Sequence, residues 1–355
     1  MKNPSFHKDF KLNDFSFETE AALLNYAKSF NNSIFNFLTD WFNHQDFVVV
    51  QTSGSTGAPK PIELQKEFMV NSAIATGNFF KIKENTKALL CLSTDYIAGK
   101  MMLVRALTLG WHLDVVAPVS NPLSKTDKTY DFSAMVPLQL RNSLNELNKV
   151  KQLIVGGGVV ANDLIAEIQP IKTKVFATYG MTETITHIAV KKLNNFNAIT
   201  NEASNYITLP DVTISLDSRS CLVINAPKVS LAEIITNDVV SLVSEKSFTW
   251  LGRYDNVINS GGVKLHPEKI EEKLTPIIKN RFFVIGVSDK ILGEKLILIV
   301  ESLKIDDNLK SEISNLKSLD KFEIPKMIYF VESFVETETK KIQRKKTLDL
   351  VLNII

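Results

Sequence analysis

The chain has 355 residues, enough for about two domains at the usual ~100–200 residues each. Its hydrophobic content of 45% allows real cores, and 41 basic against 39 acidic residues leave a net charge of +2, no global field to recruit nucleic acid or an anionic membrane. Cys91 and Cys221 lie far apart in apolar runs, which reads as two reduced core thiols rather than a disulfide framework or metal site.

Residues 18–42 have helical spacing, with a break near Asn31 and Asn32, and their aromatic stripe reads as core. An apolar run at 47–50 reads as a buried strand. A helix follows over 66–80, then strand 88–92, a helix near 99–109 and strand 113–116. Strand 132–136, helix 138–148, strand 152–155, helix 162–168 and strand 174–178 continue the alternation. This rhythm argues a mostly parallel sheet covered by helices, whose ligands bind beyond the C-terminal ends of the strands. Short alternating strands dominate 185–251 (186–190, 206–208, 212–216, 221–225, 233–235 and 239–243) and suggest a small β-rich subdomain. After Gly252 come an amphipathic helix at 267–279 with Pro267 at its start, strands 282–287 and 295–301, a helix near 307–318, strand 327–331 and a basic tail: a compact α+β unit. No apolar run approaches the ~20 residues of a membrane span, and residues 1–14 hold no apolar signal core. The expectation is a cytoplasmic protein without membrane insertion.

Residues 52–60, Thr-Ser-Gly-Ser-Thr-Gly-Ala-Pro-Lys, leave the first apolar run as a loop of hydroxyls and glycines closed by one lysine. Backbone N–H groups, hydroxyl donors and a cation are what a polyphosphate needs, although a plain Gly/Ser surface turn has the same composition. The Walker pattern is absent, because Pro59 and Pro61 flank Lys60 where Gly-Lys-Ser/Thr is required. Glycines 156–158 and Tyr179-Gly180 fall at strand ends, which favours the phosphate reading.

Four further stretches carry chemistry, each weak alone. Tyr179-Gly180-Met181-Thr182-Glu183-Thr184 offers a flat ring, a tight exit and oxygen ligands for a hard cation, or is a turn with a solvated glutamate. Asn237-Asp238 offers an acceptor for ribose hydroxyls, or is a turn between strands. Residues 251–271 form a domain junction that holds Arg253, Asp255, Gly261 and Gly262, and otherwise reads as a linker and hairpin. Residues 339–345 are a basic tail, which otherwise reads as a solvated end.

In this order the stretches resemble the adenylate-forming superfamily of acyl-CoA synthetases, adenylation domains and luciferases, over nearly the whole chain from Val48 onward. The resemblance implies an α/β protein. Its large N-terminal domain, 1–252, would hold helix-covered, mostly parallel sheets and the β-rich subdomain; a small mobile α+β domain, 253–355, would carry the tail lysine. It implies that Thr52, Ser53, Gly54, Ser55, Thr56, Gly57 and Lys60 hold ATP phosphates. Gly157 and Gly158 would line the acyl and adenine pocket, with Tyr179 stacked on adenine after the strand exit at Gly180. Thr182 and Glu183 would serve phosphate and magnesium, and Asp238 and Arg253 the ribose. Asp255 would be the hinge, Lys341 the adenylation lysine, and Gly261 and Gly262 neighbours of the pantetheine channel. The tail departs from the family: no proline precedes the segment, and Lys340 stands at the glycine position, so Lys340 competes with Lys341, which Ile342 and Arg344 favour. ATP with Mg2+ and CoA are the implied cofactor and co-substrate, and the partners are small molecules.

The chain is short for this superfamily, with only about fifty residues before the phosphate loop; the o-succinylbenzoate–CoA ligases include compact members. Gly99 followed six positions later by Arg105 resembles their acyl-pocket segment. A dicarboxylate needs a cation for its second carboxylate, which Arg105 or Lys100 would supply, unless they are ordinary surface helix residues. The implied reaction joins o-succinylbenzoate to CoA by way of an acyl-adenylate, in menaquinone biosynthesis. The alternatives are another aryl- or acyl-CoA ligase, an adenylation domain loading a carrier protein, or a catalytically silent nucleotide-binding protein.

Overall fold

The computed structural model describes residues 6–51, 61–196, 205–304, 306, 308–337 and 342–352. The largest sheet among them has 13 strands. Its parallel half runs, in spatial order, His112–Val115, Lys87–Leu90, Tyr130–Met135, Val150–Val155 and Lys174–Gly180. Side chains alternate between the faces of a strand. Accordingly Ala88, Leu90, Phe132, Ala134 and Ile154 pack into one core with helices Glu20–Phe30, Asn32–Phe42, Lys66–Phe80 and Ile97–Leu109. Leu89, Met135, Leu153, Val155 and Val175 pack into a second core with Leu140 and Leu164 of helices Pro137–Asn142 and Asn162–Glu167. Burial on both faces is why the central strands read as unbroken apolar runs. Cys91 and Cys221 are buried free thiols, and burial pushes Cys91 up to about 12.

The break between the first two helices falls at Asn31, whose side chain caps the second helix by accepting the N–H of Ile34. Strand Phe47–Gln51 corrects the expectation of a buried strand. It pairs antiparallel with Pro61–Gln65 in a separate two-stranded sheet, with Val48 and Val50 buried and Val49 52% exposed. Period-2 burial on a hairpin, not two-sided burial, explains this apolar run. Residues 52–60 therefore join two antiparallel strands and do not follow a strand of the parallel sheet.

The β-rich segment is not a separate sheet. Its strands His187–Lys192, Tyr206–Thr208, Ser247–Arg253, Ile234–Ser244, Cys221–Asn225 and Thr213–Leu216 continue the main sheet in antiparallel order from Lys174–Gly180. The expected strands 233–235 and 239–243 are one long strand, because Asn237 and Asp238 stay extended within the ladder.

In the C-terminal unit, hairpin strands Ile258–Ser260 and Val263–Leu265 precede helix Pro267–Leu274. Phe282–Asp289 pairs antiparallel with Gly293–Glu301, and Met327–Val331 lies parallel to the latter. The basic tail ends in helix Arg344–Leu352, which packs Leu348 and Val351 against Phe283 and Ile299. Among the described residues no helix is long and apolar enough to cross a membrane.

Candidate functional site

Two parallel strands end side by side in tight glycine turns. Val150–Val155 runs into glycines 156–158, where Gly157 has φ +79°, a conformation costly for residues with a Cβ. A Cβ on Gly156 would lie 2.6 Å from Thr178 Oγ1 of the neighbouring strand. Lys174–Gly180 exits through a short 3-10 turn, Thr182–Thr184, and a Cβ on Gly180 would lie 2.2 Å from Thr186 O. Thr184 Oγ1 holds this turn, accepting the Met181 N–H at 2.9 Å and donating to Thr186 O at 2.6 Å. Ile185 then takes φ +65°, a rare conformation for a β-branched residue. Thr182 is half-buried and Glu183 exposed on this turn.

Tyr179 lies just before the turn, its ring edge-on to Tyr206 and Phe248 with centroids 5.8 and 5.2 Å away. Its hydroxyl donates to Asp238 Oδ2 at 2.6 Å. Burial and then the charge of Asp238 push the Tyr179 hydroxyl far above its ordinary range, so it stays a donor. Asp238 Oδ1 accepts the indole N–H of Trp250 at 3.2 Å and lies 3.6 Å from Arg253. An ionised carboxylate has about four acceptor sites, so Asp238 keeps capacity for further hydroxyl donors. Arg253 also lies 3.7 Å from Asp255, which accepts from Asn237 at 3.4 Å in the turn Tyr254–Asn256 between the two units. Tyr179, Gly180, Asp238 and Arg253 thus converge, with glycines 156–158 on the adjacent strand end.

On helix Ile97–Leu109 the three singled-out residues behave differently. Gly99 is a packing glycine: a Cβ there would lie 2.2 Å from Ser93 O. Lys100 Nζ donates to Thr94 O at 2.5 Å and Asp95 O at 3.2 Å and sits over the Phe37 ring, so it holds the loop before its own helix. Arg105 is 2% exposed, which excludes the surface reading. Its Nε donates to Thr76 Oγ1 at 3.3 Å and its NH2 faces His187 Nδ1 at 3.4 Å; among the described residues no carboxylate pairs with it. Burial alone pushes it down to about 9.

In the C-terminal unit, Gly261 and Gly262 turn the hairpin with φ +59° and +83°. The tail is anchored on both flanks of 338–341: Gln343 N–H donates to Val335 O at 2.8 Å, Glu336 bridges to Ile342, and Arg344 grips both oxygens of Glu271 at 2.6 and 2.8 Å. Lys340 and Lys341 themselves, like Thr52, Ser53, Gly54, Ser55, Thr56, Gly57 and Lys60, lie outside the described residues.

Sequence reading missed Trp250, Phe248 and Tyr206, which support Tyr179 and Asp238, and also His187. The strand holding Trp250 was legible only from hairpin register: from Ser244↔Ser247 the ladder reaches back to Asp238↔Arg253. The arrangement suits a nucleoside: a flat ring, tight glycine turns near the backbone, and an acceptor–cation pair for vicinal hydroxyls. Among the described residues no group of three or more His, Cys, Asp or Glu side chains could hold a metal alone. Mg2+, which usually keeps waters and takes one or two carboxylates besides phosphate oxygens, fits the exposed Glu183 with Thr182 when it arrives with a nucleotide.

The chain is similar over 91% of its length to an acyl-CoA synthetase (AMP-forming)/AMP-acid ligase II-like protein from Dyadobacter fermentans, at 36% identity, covering 95% of that chain with a TM-score of 0.60. An o-succinylbenzoate coenzyme A synthetase from Bacillus subtilis, solved with ATP and magnesium, shares the fold at 21% identity and a TM-score of 0.71, over 85% of this chain and 69% of that one. A 2-succinylbenzoate–CoA ligase from Bacillus cytotoxicus is 22% identical over 339 residues, 85% of this chain and 70% of that protein. The model of the AMP-binding enzyme family matches residues 14–216, more than half of the sequence. With the sheet, the glycine turns and the Tyr179–Asp238–Arg253 cluster, this establishes that the chain belongs to the AMP-binding enzyme family.

Proposed function

We propose that this protein is an ATP-dependent acid–CoA ligase, and that its acid is o-succinylbenzoate. The observation that carries the choice of acid is Arg105, a buried guanidinium without a carboxylate partner among the described residues. An unpaired buried charge is costly, and a substrate anion would relieve that cost. Relatives named 2-succinylbenzoate–CoA ligase support the same acid.

In the proposed first step the substrate carboxylate attacks the α-phosphorus of ATP, and pyrophosphate leaves. Anions meet there, so cations must offset the developing charge. Lys60 and Lys341 are assigned this role; Mg2+, held with ATP by Thr182 and Glu183, would add Lewis-acid neutralisation of the phosphates. Tyr179 presents its ring to adenine, and Asp238 and Arg253 take the ribose hydroxyls. In the second step the CoA thiol attacks the acyl carbonyl and AMP leaves, with Gly261 and Gly262 beside the pantetheine arm and Asp255 as the hinge.

A second reading, a ligase for a different acid, is favoured by the 36% identical Dyadobacter protein, whose description specifies no acid. An assay of AMP and pyrophosphate release across benzoates, dicarboxylic acids and fatty acids, with free CoA or a carrier protein as acceptor, separates the readings. Turnover with o-succinylbenzoate and CoA is expected. AMP release only with other acids would remove the choice of acid and leave the ligase; no AMP with any acid would remove both.

A further inference from the structure

Arg219 lies in the turn before strand Cys221–Asn225, and its half-buried guanidinium joins three parts of the chain. Asp217 fixes it in place. One carboxylate oxygen accepts Nε at 2.8 Å and lies 2.8 Å from NH2; the other accepts the Arg219 and Cys221 backbone N–H groups at 2.8 and 2.9 Å. Held in this way, NH1 donates to Asn237 Oδ1 at 2.8 Å and NH2 to the Thr236 carbonyl at 3.1 Å. The guanidinium also lies against the ring of Tyr254, 5.1 Å from its centroid, within the ~6 Å reach of a cation–π contact.

Thr236 and Asn237 immediately precede Asp238, where the ladder to Cys221–Asn225 shifts register: Cys221 faces Val239, but Val223 faces Ile235. Residues 236–238 thus lie across from Leu222, an irregularity of the kind that re-aims side chains beside sites. Thr236 Oγ1 accepts the Asp238 N–H at 3.1 Å, so Arg219 grips the stretch that aims the Asp238 carboxylate. A guanidinium only donates, so Asn237 must turn its Oδ1 to Arg219, which leaves its Nδ2 for Asp255 at 3.4 Å. Tyr254 and Asp255 are therefore both held to the large unit. Asn256, the next residue, instead donates to Glu268 Oε1 of helix Pro267–Leu274 at 2.5 Å. The hold passes from one unit to the other between Asp255 and Asn256.

We infer that Arg219 is a positioning residue that couples the ribose site to the hinge. Toward the nucleotide it fixes residues 236 and 237 ahead of Asp238. Toward the hinge it stacks on Tyr254 and, through Asn237, tethers Asp255, so that turning is confined to the link between Asp255 and Asn256. The coupling rests on the proposed roles of Asp238 at the ribose and Asp255 at the hinge.

The test compares the full-length wild type with Arg219→Met and Tyr254→Ala by hydrogen exchange across residues 253–257, with and without AMP. Strand Val150–Val155 reports overall folding. In the wild type AMP should slow exchange across 253–257 by about fivefold or more. In both variants that exchange should run faster and AMP should no longer slow it. The Kd for AMP should rise about threefold or more in Arg219→Met, which loosens the stretch before Asp238, and stay within about twofold in Tyr254→Ala, which does not touch it. In the AMP-release assay Tyr254→Ala should lower kcat by about fivefold or more and leave KM for ATP unchanged, as a hinge effect does. Equal acceleration in strand Val150–Val155 and in 253–257 would make Arg219 and Tyr254 general stabilisers and overturn the coupling. AMP binding by the wild type without protection of 253–257 would overturn the coupling and keep the nucleotide site. No AMP binding by the wild type would sink the ribose role of Asp238 and the coupling with it.

Discussion

Tyr179 and Asp238 meet at 2.6 Å although three strands of the sheet separate theirs. Adjacent strands are spaced about 4.8 Å apart, so on a flat sheet the two backbones would stand roughly 19 Å apart, beyond the reach of a tyrosine and an aspartate together. The antiparallel half must curl back over the end of Lys174–Gly180. That curl brings a carboxylate from the late part of the fold to the strand end that carries the ring.

Removing the hydroxyl tests this closure. A hydrogen bond to a charged group contributes about 1.5–3 kcal/mol, and Asp238 keeps Trp250 and Arg253 as partners, so Tyr179→Phe should cost roughly 1–2 kcal/mol in urea unfolding. Calorimetry should show AMP affinity only a fewfold weaker, because the ring remains. Tyr179→Leu should lose at least tenfold, and parity between the two variants would count against ring stacking.

Several of these relationships were legible in the sequence. Helix Lys66–Phe80 and the five central parallel strands followed from apolar runs and spacing, since two-sided burial leaves a direct mark on composition. The strand at 47–51 reads as buried because a short valine run looks alike in a buried parallel strand and a half-exposed antiparallel one; the burial of Val48 and exposure of Val49 decide it. Asp238 was singled out from the motif, but Trp250 was not, since no local signal tells an indole that it will face a carboxylate in another strand. The environment of Arg105 was equally invisible, because helical spacing does not reveal what a neighbouring strand, here that of His187, brings to its other side.

Arg105 predicts an opposition between stability and activity. A buried cation without a carboxylate partner among the described residues is a liability in the free protein, and apolar replacements of buried charges are often neutral or stabilising by about 1–4 kcal/mol. Arg105→Met should therefore unfold at equal or higher temperature while kcat/KM for the acid falls by about 100-fold or more, with KM for ATP little changed. A large loss of thermal stability with unchanged acid specificity would assign Arg105 to the core.

Gly180 tests the contact between the nucleotide-side turn and the neighbouring strand at His187. A Cβ there would press on backbone, Thr186 O at 2.2 Å and His187 Cα at 2.5 Å, which cannot yield as a flexible side chain would. Gly180→Ala should destabilise by about 1–3 kcal/mol as overpacking does, and should weaken AMP binding at the adjoining Tyr179. Gly158→Ala is the comparison, because the nearest atom there is a proline ring carbon at 3.7 Å. It should keep the wild-type urea midpoint, so unfolding of the two variants separates a clash with backbone from the loss of a glycine as such.

Glu271 links the tail to pH. The carboxylate accepts both Arg344 nitrogens and the Val284 N–H, yet burial outweighs these partners and pushes it up to about 7 from an ordinary 4.5. The folded chain thus holds this proton more tightly than the unfolded chain. Its contribution to stability is full below about 4.5 and is lost as pH rises through about 7, a change on the order of 3 kcal/mol. Glu271→Gln should flatten that part of the pH profile, read by hydrogen exchange in helix Pro267–Leu274 so that the C-terminal unit is followed by itself. Arg344→Met removes the main opposing charge and should move the window upward, so that the carboxyl is protonated at neutral pH and the loss of stability from an unpaired buried carboxylate sets in only above it. The same variant frees the segment beside Lys341, so AMP release should fall more than AMP binding. A pH profile identical in wild type and Glu271→Gln would show that the Arg344 pair keeps this carboxylate ionised throughout.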